Sequence, residues 1–399
     1  MNKYLIVSPY PPPFLGGHLV YMSAIVENCR ENFDILTNRL PARQSEVISK
    51  KDRPLRKRWI RSMFKQPTLL DHFITYPYIL FWILFKRITH NYQAIIVNWG
   101  VAPNSLVHFL GKMIGTPTIG LLHADEITVA LKSKGIKGAV KRLLMKRGLK
   151  RADGLIASCH FIRDRMVELG VDPSIIDVIP TCYNPRNINE SRIRRKQGHR
   201  IISVGTMVER KGFHLLIDAV KVLKDEFPDI KLSLVGEGPF MPVIKERIQR
   251  YNLESHVTLH GNVFEEALST LFADSNLFVL ANHMLDDGNT EGGSLVVCDA
   301  SSHGLPVIAG SGGGLATTIS DGVTGFIVNS RDIVQLTSKI RHIFLHPDLA
   351  DKMGQAGKEK IERDHNPKKI GQLFGESINR LVRKLPPSDK QVAINSGFY

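Results

Sequence analysis

Two doubly wound α/β domains are what this sequence predicts, and three observations carry the expectation. Short runs rich in Val, Ile and Leu alternate with longer amphipathic stretches along the whole chain. The alternation breaks once, in a polar and basic stretch near the middle, and then restarts. A length of 399 residues is also too great for one ordinary core.

In the first half, buried parallel strands are expected at YLIVS (4–8), AIIVN (94–98), PTIGLL (117–122), GLIAS (154–158) and DVIP (177–180). Helices fall between them at 18–30, 103–114, 136–150 and 160–169. The second half repeats the pattern with RIISVG (200–205), KLSLVG (231–236), VTLHG (257–261), LFVLA (277–281), PVIAG (306–310) and GFIV (325–328). This β-α-β repetition implies a first Rossmann-like domain over 1–180, a linker over 181–199 and a second such domain over 200–366. A last helix over 367–385, opened by Pro367, is expected to pack back on the first domain, ahead of a poorly ordered tail over 386–399. Ligands of such folds bind beyond the carboxyl ends of the strands, so a cleft lined by strand-end loops of both domains is expected.

Composition narrows the class. An apolar fraction of 43% with 23% charged residues is that of a soluble globular protein. The four cysteines are widely spaced, with no C-x-x-C pair, which argues against a zinc site or disulfide framework and fits a reducing compartment. The apolar run before the first prolines is too short for a signal peptide, and the apolar window 72–85 is too short for a bilayer span and is interrupted by Pro77. A cytoplasmic protein is expected. The net charge of +15 is uneven: residues 1–200 hold 32 Lys and Arg against 14 Asp and Glu, and the remainder 21 against 24. The first half should therefore meet an anion, which charge alone leaves open between nucleic acid, a membrane surface and an acidic or phosphorylated substrate.

The chemistry-bearing residues lie in strand-end loops. After the first strand, Gly16 and Gly17 open a helix and allow an anion to approach backbone amides. Neither G-x-G-x-x-G nor a P-loop is present. HADE (123–126) ends another strand, with His123 at its head and no second His or Cys spaced for a metal. In VGTMVERKGFHLLIDAV, Arg210 and Lys211 sit where they can neutralise a phosphate. In NTEGGSLVVCDASSHGLPVIAG (289–310), Glu291 precedes a glycine-started helix that carries Asp299, and eight residues is close to two helical turns. GSGGG (310–314) begins a further candidate anion nest. Glycine-led helix starts, a cationic pair and two carboxylates together point to a phosphorylated, hydroxyl-rich ligand such as a nucleotide sugar.

At these residues the chain resembles the retaining family-4 glycosyltransferases, which have the GT-B fold. The resemblance rests on VG…KGFHLLIDA, LSLVGEGP, the E-G-x₆-[ED] segment with GLPVIAG, DGVTGFIV, VIPTCYNP and HADE. It implies transfer of a sugar from a UDP- or GDP-sugar to a saccharide or lipid-linked acceptor with retained configuration, without cofactor or metal. By motif position it assigns Lys211 to the diphosphate and Glu291 to the sugar, with Gly293, Ser294 and Leu295 approaching either through their amides. Asp299 would bind the ribose, Gly17 would lie against the diphosphate and His123 would reach the transferring sugar. Two positions depart from the pattern. Thr206 stands where the family usually has arginine, with Arg210 as a substitute, and Asp299 stands where glutamate is common.

The run 53–65 mixes Lys and Arg with Trp59, Met63 and Phe64 and leads into the apolar window; residues 53–85 are thus expected to meet an anionic membrane at the inner face of the cell. No nucleic-acid-binding motif is present. A nucleotide-sugar epimerase of the same fold, or a catalytically weak relative, is the alternative.

Overall fold

The computed structural model describes residues 3–8, 17–37, 59–60, 80–81, 83–85, 91–98, 104–123, 125–183, 198–263, 265–384 and 394–395. The chain forms two compact units, one of residues 1–179 with 368–399 and one of residues 180–367.

The first unit contains β1 (Lys3–Ser8), α1 (Gly17–Asn28), β2 (Asn32–Thr37), β3 (Trp59–Ile60), β4 (Ala94–Asn98), α2 (Asn104–Met113), β5 (Thr118–Leu122), α3 (Asp125–Lys132), α4 (Gly135–Leu149), β6 (Gly154–Ala157), α5 (His160–Glu168) and β7 (Ile176–Val178). Its sheet has the order β3-β2-β1-β4-β5-β6-β7, with every pairing parallel. Strands β4, β5 and β6 are buried along their whole length, as continuous aliphatic runs covered on both faces must be.

The second unit follows with β8 (Arg200–Val204), α6 (Phe213–Leu223), β9 (Lys231–Val235), α7 (Met241–Arg250), β10 (Val257–Leu259), α8 (Glu265–Ala273), β11 (Leu277–Leu280), α9 (Leu295–Ser302), β12 (Val307–Gly310), β13 (Gly325–Val328), α10 (Ile333–Leu345) and α11 (Pro347–Asp364). Its parallel sheet runs β10-β9-β8-β11-β12-β13. In both sheets the strand order reverses beside the first strand, at β1/β4 and at β8/β11, and such switch points are where doubly wound folds take ligands.

Helix α12 (Pro367–Arg383) returns to the first unit. Its Arg380 donates from Nε to Oδ2 of the fully buried Asp177 at 3.0 Å and sets Nη2 2.9 Å from Oδ1. Asn379 accepts the Tyr4 hydroxyl at 2.7 Å.

Sequence pattern misses β2, β3 and α3. Asp34 interrupts the apolar run of β2, and it is tolerated in the core because Lys3 pairs with it at 3.0 Å and the Tyr92 hydroxyl donates to it. Burial, that hydrogen bond and the Asp34 charge hold the Tyr92 phenol far above its ordinary range. Helix α3 begins inside HADE, so Asp125 and Glu126 belong to its first turn while His123 stays in the loop. Thr181 and Cys182, at the head of the stretch read as linker, are buried in the second unit. Most of 53–85 lies outside the described residues. Within it, Trp59 and Ile60 form β3, and Ile83 is buried while Phe81, Leu84 and Phe85 are exposed.

Candidate active site

The loops around β8/β11 bring Arg210, Lys211 and Glu291 together. A 3₁₀ turn over Glu209–Lys211 follows β8 and ends at Gly212, whose φ of +70° suits glycine. A Cβ at Gly212 would sit 1.8 Å from the Ala281 carbonyl oxygen, so only glycine lets the start of α6 rest on the end of β11. Lys211 folds back along Gly205. The His283 amide donates to the Arg210 carbonyl at 2.9 Å, tying the cationic pair to the loop that carries Glu291.

That loop is braced from β12. Asn282 donates from Nδ2 to the Gly312 carbonyl at 2.7 Å and accepts the Gly310 amide at 2.9 Å. Thr290 also donates to the Gly312 carbonyl, and the Gly314 amide donates to the Glu291 carbonyl at 3.0 Å. A Cβ at Gly313, where φ is +113°, would lie 1.9 Å from the Glu291 carbonyl oxygen. The GSGGG segment read as an anion nest therefore spends the amides of Gly310, Ser311 and Gly314 on internal bonds, and its observed work is to hold Glu291 in place.

Glu291 is 7% exposed. Lys211 Nζ donates to its Oε2 at 2.7 Å, and Arg210 Nη1 lies 2.9 Å from its Oε1, close enough to pair electrostatically but not aligned as a hydrogen bond. Burial alone would raise the carboxyl pKa; the charges of Lys211 and Arg210 and the Lys211 hydrogen bond outweigh it and hold the pKa below the ordinary range. The carboxylate is thus ionised and buried, with one well-aligned cation and one held loosely.

Helix α9 starts just beyond. Its N-cap, Ser294, is extended and makes no side-chain cap, so the first-turn amides and the positive end of the helix dipole are not satisfied by a local side chain. Gly293 packs on Thr181, where a Cβ would come within 2.6 Å of Cγ2. Because α9 begins at Leu295, Glu291 precedes the helix. The two-turn spacing argument for Glu291 and Asp299 does not hold, since Glu291 sits in an extended loop bridged to Gly313. Asp299 lies within α9 at 4% exposure. Its backbone carbonyl accepts His303 Nδ1–H at 2.8 Å. Burial first and the Asp299 charge second push the Cys182 thiol up to about 12. Thr206 is exposed, with its carbonyl accepting the Val208 amide.

In the first unit, Gly17 is the first residue of α1. His123 follows β5, near the switch point, where it meets residues that the sequence reading did not select. Asn98 donates from Nδ2 to Ser8 Oγ at 3.2 Å, which turns its Oδ1 toward His123 Nε2 at 2.8 Å. His123 Nε2 therefore carries the proton, and in the neutral ring Nδ1 carries the lone pair. The Ser158 hydroxyl donates to the His123 carbonyl at 2.6 Å, and the Tyr21 ring meets the imidazole edge-on at 5.8 Å. A polar residue ending an otherwise apolar strand is the signal that could have found Ser8 and Asn98; Ser158 directly follows such a strand.

The sequence matches the glycosyl transferases group 1 family over residues 186–360 and glycosyltransferase family 4 over residues 31–187. It is 24% identical over 370 residues to the GDP-mannose-dependent alpha-(1-6)-phosphatidylinositol monomannoside mannosyltransferase of Mycolicibacterium smegmatis, covering 89% of this chain and 92% of that one. It is 28% identical over 185 residues to the sulfoquinovosyl transferase SQD2 of Arabidopsis thaliana, covering 45% of this chain and 34% of that one. The fold is similar to the sucrose-phosphate synthase of Thermosynechococcus elongatus, with a TM-score of 0.78, 20% identity and coverage of 96% and 100%. It is also similar to Anabaena Alr3699/HepE in complex with UDP, with a TM-score of 0.75, 17% identity and coverage of 95% and 100%.

The fold and the two family matches together define a glycosyltransferase with two Rossmann-like domains, the GT-B architecture. The chain belongs to the family-4 glycosyltransferases.

Proposed function

We propose that this enzyme transfers a hexosyl group from a UDP- or GDP-sugar to a hydroxyl of a saccharide or lipid-linked acceptor, with retention, in the biosynthesis of a surface polysaccharide or glycolipid. The observation that carries the reading is a buried, ionised Glu291 held by Lys211 and Arg210 beside the uncapped start of α9. Relatives support the class of donor and product: one is named as GDP-mannose-dependent and acts on a phosphatidylinositol monomannoside, another is named as a putative colanic acid biosynthesis glycosyltransferase, and a structural neighbour was solved with UDP-glucose.

In this reading the donor diphosphate displaces part of the Glu291 grip and takes Lys211, Arg210 and the amides of Gly293, Ser294 and Leu295 as its partners. Gly17 lies against the diphosphate, Asp299 takes the ribose, and Glu291 turns to the sugar hydroxyls. The bond from the anomeric carbon to the diphosphate oxygen breaks with its electron pair leaving on that oxygen. The acceptor oxygen bonds to the same carbon from the same face, and its proton passes to the departing diphosphate. Side-chain cations and helix amides stabilise the developing charge, and no step requires a metal. His123 contacts the transferring sugar, held in one tautomer by Asn98. The first unit provides the acceptor site, and the enzyme works on the cytoplasmic side of the membrane.

The test is a panel of UDP- and GDP-sugars. One donor should protect the protein against heating, and nucleotide should be released only when acceptor is added. Glu291→Gln should lower kcat by on the order of a hundredfold, and His123→Ala should lower turnover. Absence of binding to any donor sinks the reading, and release of an isomerised sugar without acceptor turns it into an epimerase.

A further inference from the structure

We infer that the outward face of α2 and α4 is the surface by which this protein rests on an anionic lipid bilayer. The inference deepens the transferase reading by naming where the enzyme meets the membrane; it places the contact on residues 104–151 and not on the run at 53–65.

Charge is the first observation. Between Glu126 and Asp153 the chain carries nine Lys and Arg and no acid. Helix α4 lies wholly inside this interval. Lys146, Arg147, Lys150 and Arg151 are all exposed, so the positive charge faces solvent with no acid within the interval to neutralise it.

Apolar exposure is the second. A helix on a soluble surface turns its apolar stripe inward and polar residues outward. Helix α4 buries Met145 and Leu149, yet its opposite stripe of Ile136, Val140 and Leu143 is also apolar, with exposures from 46% at Leu143 to 86% at Ile136. Helix α2, which packs against α4, does the same: it buries Val107 and Leu110 and exposes Leu106, Phe109 and Met113. Just past the end of α4 the Arg151 guanidinium lies over the exposed Phe109 ring of α2 at 5.7 Å, so a cation of one helix meets an apolar group of the other. The helical residues 80, 81 and 83–85 share a core cluster with α2 through Ile83, and they also expose Phe81 and Phe85.

Aliphatic side chains interleaved with cations along a helix of 15 residues, about 22 Å long, match the boundary between acyl chains and anionic headgroups. A nucleic-acid groove would pair cations with polar donors and stacking rings, and it would gain nothing from Ile136, Val140 or Met113. An outward stripe of this kind on a soluble domain marks an interaction surface.

The experiment uses the full chain and sedimentation with vesicles of phosphatidylcholine alone or with phosphatidylglycerol. The protein should pellet with the anionic vesicles, and added salt should weaken that binding in part. Each basic residue near such a surface contributes about fivefold to partitioning. Lys146→Gln, Arg147→Gln and Lys150→Gln combined should therefore lose about a hundredfold. A second variant, Ile136→Ser with Val140→Ser, should lose the binding that remains at high salt. Both variants should keep the wild-type melting temperature and wild-type turnover of a water-soluble acceptor, which separates loss of the surface from loss of the transferase reading. Three results would overturn the inference: no binding to anionic vesicles, equal binding by wild type and both variants, or RNA binding tight enough to strip the protein from vesicles.

Discussion

Lys211→Met removes the one well-aligned cation on Glu291 while keeping a side chain of similar length against Gly205. The carboxylate would remain 7% exposed, facing only the Arg210 Nη1 at 2.9 Å, which is not in hydrogen-bonding alignment. Losing a hydrogen bond to a charged group costs about 1.5–3 kcal/mol, and stranding a buried charge costs about 3–5. Arg210 still offsets part of the second term, so about 3 kcal/mol is expected. For a unit of this size that is about 6–12 °C in its unfolding midpoint. The assay is calorimetry of wild type, Lys211→Met, Glu291→Gln and the double variant, read on the transition of the second unit. The double variant should recover about 1–2 kcal/mol relative to Lys211→Met, because its buried group is neutral. A Lys211→Met protein as stable as wild type, or a double variant whose losses simply add, would refute the argument that Lys211 neutralises a buried carboxylate.

The same pair sets a pH dependence. The folded pKa of Glu291 is depressed below the ordinary carboxylate range, so its contribution is present above that range and is lost as pH falls through the folded pKa. Unfolding midpoints of wild type and Glu291→Gln should therefore converge on acidification and stay apart near neutrality. Gly313→Ala forces a Cβ to within 1.9 Å of the Glu291 carbonyl at a φ of +113°; it should lower donor affinity in calorimetry at least tenfold and cost about 2–4 kcal/mol of stability. Arg380→Met leaves the buried Asp177 charge with only the neutral Asn395 amide, 3.2 Å from Oδ1, as a side-chain donor among the described residues, and should lower the first unit's stability by about 3 kcal/mol in a denaturant titration, with Asp177→Leu in the same chain restoring much of it. Asn98→Ala releases the His123 tautomer and should shift the acid limb of the pH–rate profile, whereas Asn98→Asp should hold the ring and displace that limb upward.

The chain's own order of residues determined the two sheets, because a parallel strand buried on both faces is a continuous aliphatic run that survives in the sequence as one. AIIVN, PTIGLL and LFVLA are such runs, and each became a buried strand. It also marked the loops that bring Arg210, Lys211 and Glu291 together, since glycines, cations and carboxylates collect where those runs end. Where a core strand holds a charge, as β2 does at Asp34, the run is broken and the element is hidden until Lys3 and Tyr92 are seen around it. What Glu291 faces was likewise decided only by the fold. Lys211 is 80 residues away in the chain, and the two meet because β8 and β11 are neighbours at the switch point. The eight-residue spacing to Asp299 was read as two helical turns, but that periodicity holds only within a helix, and α9 starts four residues after Glu291. Exposure is the other property that linear order does not contain. Ile136 and Met145 are both apolar residues of one basic helix, and only the packing of α4 onto its neighbours leaves the first in solvent and the second in the core.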